Sequence, residues 1–300
     1  MRFTRFLLVA AVFAISQTSH AETPQIKTVQ VNGTDLEYVE EGSGTPVVFV
    51  HGAISDLRLW EGFRKKVGMK HRFISYTRRY FGKQPWQDNG EKFTREFQAR
   101  DLVAFIEAVS KEPVHLFTWS SGGNVGTHAN VMRPDLIRSA VHFEPVTFSL
   151  TPEIPGMTAA QSQQFEALPE VFKLMKQKRV GDAAQRFLEV VWDLPKGGAE
   201  SAVSPAVIKM LRDNGHTISL SMNAPPYSKT TCEVLARIKT PTLVMVGSES
   251  KPFFPMLAER QAQCQSNAIV ASVKGVNHNG PLAALETVLK RAMAFYAMFD

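Results

Sequence analysis

The chain has 300 residues, 44% of them hydrophobic and 10% aromatic, which suffices for one large core and excludes a disordered polymer. Its formal charge of +6 is mild and scattered. Lys65-Lys66 and Arg78-Arg79 are among the tight basic pairs near expected elements, and no basic stripe interleaved with aromatics occurs, so a nucleic-acid partner is disfavoured.

Met1-Arg2-Phe3-Thr4-Arg5 precedes an apolar run from Phe6 to Ile15, and Ser19-His20-Ala21 offers a small-x-small cleavage site before Glu22. A charged start, an apolar stretch and a cleavable end read as a secretory signal peptide over residues 1–21. The run is about half of the roughly 20 apolar residues a membrane span needs, so no stable anchor is expected after cleavage. Cleavage removes Arg2 and Arg5 and no acid, which lowers the formal charge from +6 to +4. The expected location is periplasmic or secreted. In an oxidising compartment the two cysteines, Cys232 and Cys264, are a candidate disulfide, with two unpaired buried thiols as the alternative. Two cysteines cannot make a zinc site alone.

Residues 27–41 alternate around Asn32-Gly33, the pattern of a hairpin with an Asn-Gly turn. Pro46 to Val50 is a continuous apolar strand running into His51-Gly52-Ala53-Ile54, where glycine lets backbone approach a ligand and the Ala53 N–H can face it. An amphipathic helix follows around Leu57 to Val67. Arg72 to Thr77 is another strand, ending in Arg78-Arg79-Tyr80-Phe81-Gly82, and helical spacing of Phe97, Leu102, Phe105, Ile106 and Val109 predicts a helix over 94–110.

Val114 to Trp119 then reads as a buried strand that breaks at Ser120, and Ser121-Gly122-Gly123 opens a helix reaching about Met132. This is the shape of a nucleophile elbow, a strained strand-to-helix turn that presents a serine hydroxyl beside the first free N–H of the helix. Thr118 stands where the usual motif has glycine. A strand over Ile137 to Phe143 follows, delivering Glu144-Pro145. From about Thr147 to Thr230 the pattern is helical, including Pro169 to Lys178 and Ala183 to Trp192, without a convincing strand. Alternation resumes with the strand Pro241 to Val246, a helix from about Phe254 to Cys264, the strand Ala268 to Val273, and His278 in a loop before a final helix, Pro281 to Phe299. Strands alternating with helices argue for a parallel, doubly wound sheet.

The serial order of these features (His-Gly turn, Arg-Arg-Tyr-x-Gly, serine elbow, helical insertion, Pro-Thr-Leu-Val strand, late histidine) resembles the α/β-hydrolase superfamily over nearly all of the mature chain. The resemblance implies an α/β fold with a doubly wound, mostly parallel sheet, a core of residues 22–146 and 231–300, and a helical cap or lid over 147–230. It implies Ser120 as nucleophile, His278 as base, and the N–H groups of Ala53 and Ser121 as an oxyanion hole. Family members commonly carry an aspartate where this chain has Ser250, and a neutral hydroxyl cannot offset an imidazolium charge. Glu144 and Glu249 are the two candidate acids. Glu144 is favoured because an apolar strand delivers it to the carboxyl edge of the sheet and Pro145 biases it toward extended geometry; Glu249 stays open. His51 reads as a structural hydrogen-bonder, and His115 and His142, inside strands, as packed. Arg78 and Arg79 are candidates for binding an anionic substrate, with stabilisation of their turn as the favoured role. Trp86, Phe165, Phe172, Phe187 and Trp192 are candidates for an acyl pocket, with core and lid packing as the default.

The expected function is therefore a cofactor-independent, metal-free serine hydrolase, esterase-like, cleaving an ester or related acyl bond of a small molecule. The alternative is a catalytically inactive binding protein on the same fold, which the missing aspartate keeps open.

Overall fold

A computed structural model describes residues 24–83, 86, 88–224 and 230–300; the expected signal peptide lies outside the described residues. Strands β1 (Lys27–Val31) and β2 (Thr34–Glu41) form the expected hairpin. Asn32 and Gly33 take φ of 45° and 73°, the left-handed pair that a two-residue hairpin turn requires. The remaining strands are β3 (Pro46–Val50), β4 (Arg72–Tyr76), β5 (Val114–Trp119), β6 (Ile137–Phe143), β7 (Thr242–Gly247) and β8 (Ala268–Val273). They assemble in the order β1-β2-β4-β3-β5-β6-β7-β8, antiparallel up to the β2/β4 pair and parallel from there on.

Helices α1 (Glu61–Gly68), α2 (Arg95–Val109) and α3 (Ser121–Met132) alternate with these strands. Val47 and Phe49 join one apolar cluster with Phe73, Phe117 and Trp60, while Val48 and Val50 join another with Ile74, Leu102, Phe105 and Leu116. Successive residues of a strand face opposite sides, so burial on both sides demands the continuous apolar run seen in the sequence. The chain leaves β3 for β4 on one side and then crosses to β5 on the other. That reversal opens a crevice at the carboxyl ends of β3 and β5, where His51-Gly52-Ala53 and Ser120 lie.

Between β6 and β7 the described residues hold helices and no strand: α4 (Met157–Gln164), α5 (Leu168–Lys176), α6 (Val180–Val191), α7 (Ala199–Ala202), α8 (Pro205–Asp213), α9 (Thr217–Asn223) and α10 (Cys232–Leu235). Their apolar residues Val171, Leu188, Met210 and Ile218 belong to the same cluster as Phe49 and Phe117 of the sheet, so the helical segment shares the core rather than making its own. After β7, α11 (Phe253–Cys264) ends at Cys264, whose disulfide to Cys232 ties α10 to α11 with Cα atoms 4.9 Å apart.

The last helix differs from expectation. It is two, α12 (Gly280–Ala283) and α13 (Leu285–Tyr296), parted at Ala284 with φ −128° and ψ 41°. Gly280 abuts the Phe143 ring so closely that a Cβ would stand 2.2 Å from it, which pins the first turn at the sheet edge. Val288, Ala292 and Tyr296 of α13 then pack back along the sheet, and the path bends between the two. Among the described residues no helix is long and apolar enough to cross a membrane.

Candidate active site

Ser120 closes β5 with φ 55° and ψ −123°, a left-handed conformation that an L residue holds only under constraint. The constraint is visible: its N–H donates to Phe143 O at 3.0 Å, and its carbonyl accepts from Gly123 and Val146 at 2.9 and 3.1 Å. Gly122 is required beneath the turn, since a Cβ there would lie 2.5 Å from the carbonyls of Val50 and His51. Thr118, the departure from the usual motif, is accommodated by two contacts. Its hydroxyl pairs with His142 Nδ1 at 2.6 Å, and its methyl faces Gly126, which has no side chain to clash with it.

His278 is 2% exposed and Glu144 fully buried. His278 Nδ1 donates to Glu144 Oε2 at 2.6 Å, while Oε1 accepts from the Gly247 N–H at 2.8 Å and from the Ser250 hydroxyl at 2.5 Å. The carboxylate thus accepts from three donors, two of them from the end of β7. Ser250, at the position where the resemblance implies aspartate, is a donor to the Glu144 carboxylate. Glu249 is exposed at the end of β7 and does not enter this network. The imidazole is further held by Phe254, stacked at 3.8 Å and 10° between planes, and Trp119 Nε1 donates to the His278 carbonyl at 3.0 Å. Ser120 and His278 line one cavity, although no direct hydrogen bond joins Ser120 Oγ to the ring among the described residues.

Gly52 lies against the elbow: a Cβ on it would stand 3.3 Å from Ser120 Cβ. Ile54 follows with φ 45°, a strained value for a β-branched residue. His51 is buried, its pKa pushed well below the usual imidazole value by burial and then by Arg78, so it is neutral. The Arg78 backbone N–H donates to its Nε2 at 3.0 Å, which places the proton on Nδ1, facing Gly52 O at 2.9 Å. Neither the Ala53 N–H nor the Ser121 N–H finds a protein acceptor among the described residues, and both residues line the cavity.

The two arginines part company. Arg79 makes a buried ion pair with Asp101 at 2.6 Å and donates to Asn32 O at 3.1 Å, the turn-stabilising role expected of both. Arg78 turns inward to Gly52 O and Gln98 Oε1 at 2.5 and 2.7 Å. Burial lowers its pKa to about 9, which leaves it charged at neutral pH.

The cavity above Ser120 holds about 300 Å³ and is walled mainly by apolar side chains of the sheet edge and of the helices between β6 and β7. Of the aromatics proposed for an acyl pocket, Phe165, Phe172, Phe187 and Trp192 line it, together with Phe148 and Phe254. Trp86 does not; it packs on Tyr80 at 5.2 Å, beside the separate apolar cluster of Tyr80, Phe81 and Phe93. Arg95 is the one lysine or arginine among the described lining residues. His115 and His142 are packed within their strands, as expected. Two groups have metal-ligand spacing among the described residues. One contains the disulfide cysteines, and the other, His71, His115 and Asp300, lies at the opposite, amino-terminal edge of β4 and β5.

Sequence reasoning did not find the roles of Ser250, Phe254, Trp119 Nε1 and Arg78. The only signal was proximity in sequence to β4, β5 and β7 ends, which many unrelated residues share.

Residues 47–290 match the model of the alpha/beta hydrolase family. Among curated relatives, the Bacillus subtilis hydrolase YraK is 24% identical over 167 residues, 54% of this chain and 60% of that one. The 2-(acetamidomethylene)succinate hydrolase of Mesorhizobium japonicum is 22% identical over 272 residues, 90% of this chain and 94% of that one. The chain thus spans less than two thirds of the first relative and nearly all of the second. Among solved structures, the carboxylesterase CesB of Bacillus subtilis has a TM-score of 0.71 at 15% identity, covering 92% of each chain, a likeness of fold.

Proposed function

From the premise that the chain is a hydrolase belonging to the alpha/beta hydrolase family, we propose that it is a secreted serine hydrolase cleaving an ester or related acyl bond of a small, mostly apolar molecule. The observation that carries this reading is the convergence on one apolar cavity of a strained Ser120, two unused backbone N–H groups and a histidine whose far nitrogen is held by a buried carboxylate.

In this reading His278 Nε2 takes the Ser120 proton as Oγ attacks the acyl carbon, and Glu144 stabilises the imidazolium that forms. The N–H groups of Ala53 and Ser121 receive the negative oxygen; one such donor is worth about 3–4 kcal/mol of barrier. The tetrahedral adduct collapses, His278 returns the proton to the leaving alcohol, and an acyl-Ser120 ester remains. Water then attacks with His278 as base, releasing the acid and restoring Ser120. Hydrogen bonds between nucleophile and base are commonly long in unliganded sites and tighten with substrate, which accommodates the open Ser120–His278 geometry. A succinate-type substrate, as the Mesorhizobium relative's name gives for that protein, is disfavoured by a cavity in which Arg95 is the single lysine or arginine among the described lining residues. Helices between β6 and β7 act as the cap that shapes the acyl site.

A fluorophosphonate probe with an intact-mass readout tests the chemistry. One adduct on wild type and none on Ser120→Ala is expected; no labelling of wild type, or equal labelling of both, sinks the hydrolase mechanism in favour of an inactive binding protein. In a secreting bacterial host the mature mass is expected to start at Glu22, and an unprocessed cytosolic chain would count against export.

A further inference from the structure

The Arg78 guanidinium is a buried cation without a carboxylate partner among the described residues, 1% exposed, and its Nε has no acceptor there. Burying an unpaired charge costs stability, so its persistence asks for a compensating task. Its contacts identify one. Nη2 donates to Gly52 O at 2.5 Å and lies 3.4 Å from Ser121 Oγ, Nη1 donates to Gln98 Oε1 at 2.7 Å, and the guanidinium covers the Phe81 ring at 4.3 Å.

Gly52 O and the Ala53 N–H belong to one peptide unit. In a planar trans peptide they point in opposite directions, and no cis bond occurs among the described residues. Whatever holds the carbonyl therefore aims the N–H. Three donors converge on that carbonyl: the Arg78 guanidinium, the His51 Nδ1–H at 2.9 Å and the Ser55 hydroxyl at 3.2 Å. His51 is itself oriented by the Arg78 backbone N–H, so Arg78 grips the turn from main chain and side chain alike. Charge on the carbonyl side also polarises the amide and strengthens its N–H as a donor. Arg78 does not line the cavity.

We propose, on the serine-hydrolase reading above, that Arg78 is a positioning residue of the oxyanion hole, which fixes and polarises the Gly52–Ala53 peptide so that the Ala53 N–H meets the developing oxyanion. Its function is exerted in the transition state and not on ground-state binding. Arg79, one residue on, serves the fold through Asp101 and is the internal control.

The test uses the full mature chain as wild type, Arg78→Met, Arg78→Lys and Arg79→Met. Active sites are titrated with a fluorophosphonate, and kcat and KM per titrated site are measured with p-nitrophenyl butyrate. Inhibition by an aryl trifluoromethyl ketone, which adds to the serine as a tetrahedral oxyanion, is measured alongside. Loss of a whole oxyanion donor costs on the order of 10²–10³ in kcat, and loss of its support is expected to cost less. Arg78→Met is expected to lower kcat about 10–100-fold with KM held within about 3-fold, and to weaken the ketone by the same factor as kcat/KM. Arg78→Lys, whose single ammonium reaches Gly52 O or Gln98 but not both, is expected to recover part of the loss. Arg79→Met is expected to lower the melting temperature while kcat per site stays within about 2-fold. A kcat per site within 3-fold of wild type in Arg78→Met, with only the titratable fraction or melting temperature reduced, overturns the proposal. So does an unchanged kcat in Arg78→Lys should the methionine variant fail to fold. An unlabelled wild type removes the hydrolase mechanism itself and this proposal with it.

Discussion

Glu144 holds φ at 43°, in the left-handed region, as Ser120 and Ile54 do. Strain of order 1–3 kcal/mol per residue survives where surroundings over-determine it, and such residues gather at functional sites. The sequence argument that Pro145 biases Glu144 toward extended geometry does not hold, because the hydrogen bonds of Glu144 to Met245 O, Gly247, Ser250 and His278 outweigh that local preference. Glu144→Gln is expected to cut kcat by about 10³–10⁴, as loss of the orienting carboxylate does in serine triads, whereas Glu249→Gln, at an exposed site, is expected to stay within about 2-fold; the reverse ranking, measured as kcat on one ester, would sink Glu144 as the acid. Ser250→Ala removes one of the two donors on Oε1 and is expected to lower kcat about 10–150-fold, matching the roughly 1.5–3 kcal/mol of a hydrogen bond to a charged group, with KM unchanged.

Among the elements, α11 links the disulfide to the catalytic candidates, since Cys264 ends it and Phe254, in its first turn, stacks on His278. The bridge spans 32 residues of sequence, and a loop of that size is worth about 2–4 kcal/mol. Cys232→Ser with Cys264→Ser is expected to lower the melting temperature by about 5–15 °C in a calorimeter, while kcat per titrated site changes little. A melting temperature unmoved by the double change would mean that packing of α10 on α11 alone holds this end. Trp192 continues the same logic from α6: it stacks on Trp119 at 5.8 Å, and its carbonyl accepts from Asn277 Nδ2 at 2.6 Å, so the helical segment is fastened to the loop that carries His278.

Over the whole molecule, burial keeps His51, His115, His128 and His142 below the usual imidazole pKa, His128 and His142 at about 4. A depressed folded pKa means that the unfolded chain binds more protons. The associated stability is complete above pH 6.5 and drains as pH falls through 6.5 toward the folded values. For His142 alone, a shift from 6.5 to about 4 corresponds to roughly 3 kcal/mol lost by pH 4. Urea unfolding at pH 8, 6.5 and 5 is expected to give falling midpoints; a flat series would mean that these imidazoles titrate in the fold as they do in the unfolded chain.

Much of this protein was legible before any coordinates. Strands buried on both faces must be continuous apolar runs, and hairpin turns must use residues that tolerate positive φ, so composition along the chain reveals β3 to β7 and the β1–β2 hairpin, and with them the alternation that makes the sheet parallel. Ser120 was legible as a candidate because a strand-to-helix turn is local, and His278 as a candidate through the family resemblance. What the tertiary structure decided is which distant groups meet. Glu144 and Glu249 are both glutamates near strand ends, and only the pairing of β6 with β7 puts one beside His278 and leaves the other in solvent. Arg78 and Arg79 are identical and adjacent, and only the packing of β4 against β3 and α2 sends one to Gly52 and the other to Asp101. Residue type sets what a group can do, but its energy depends on partners dozens to hundreds of positions away, and those distances exist only once the chain has folded.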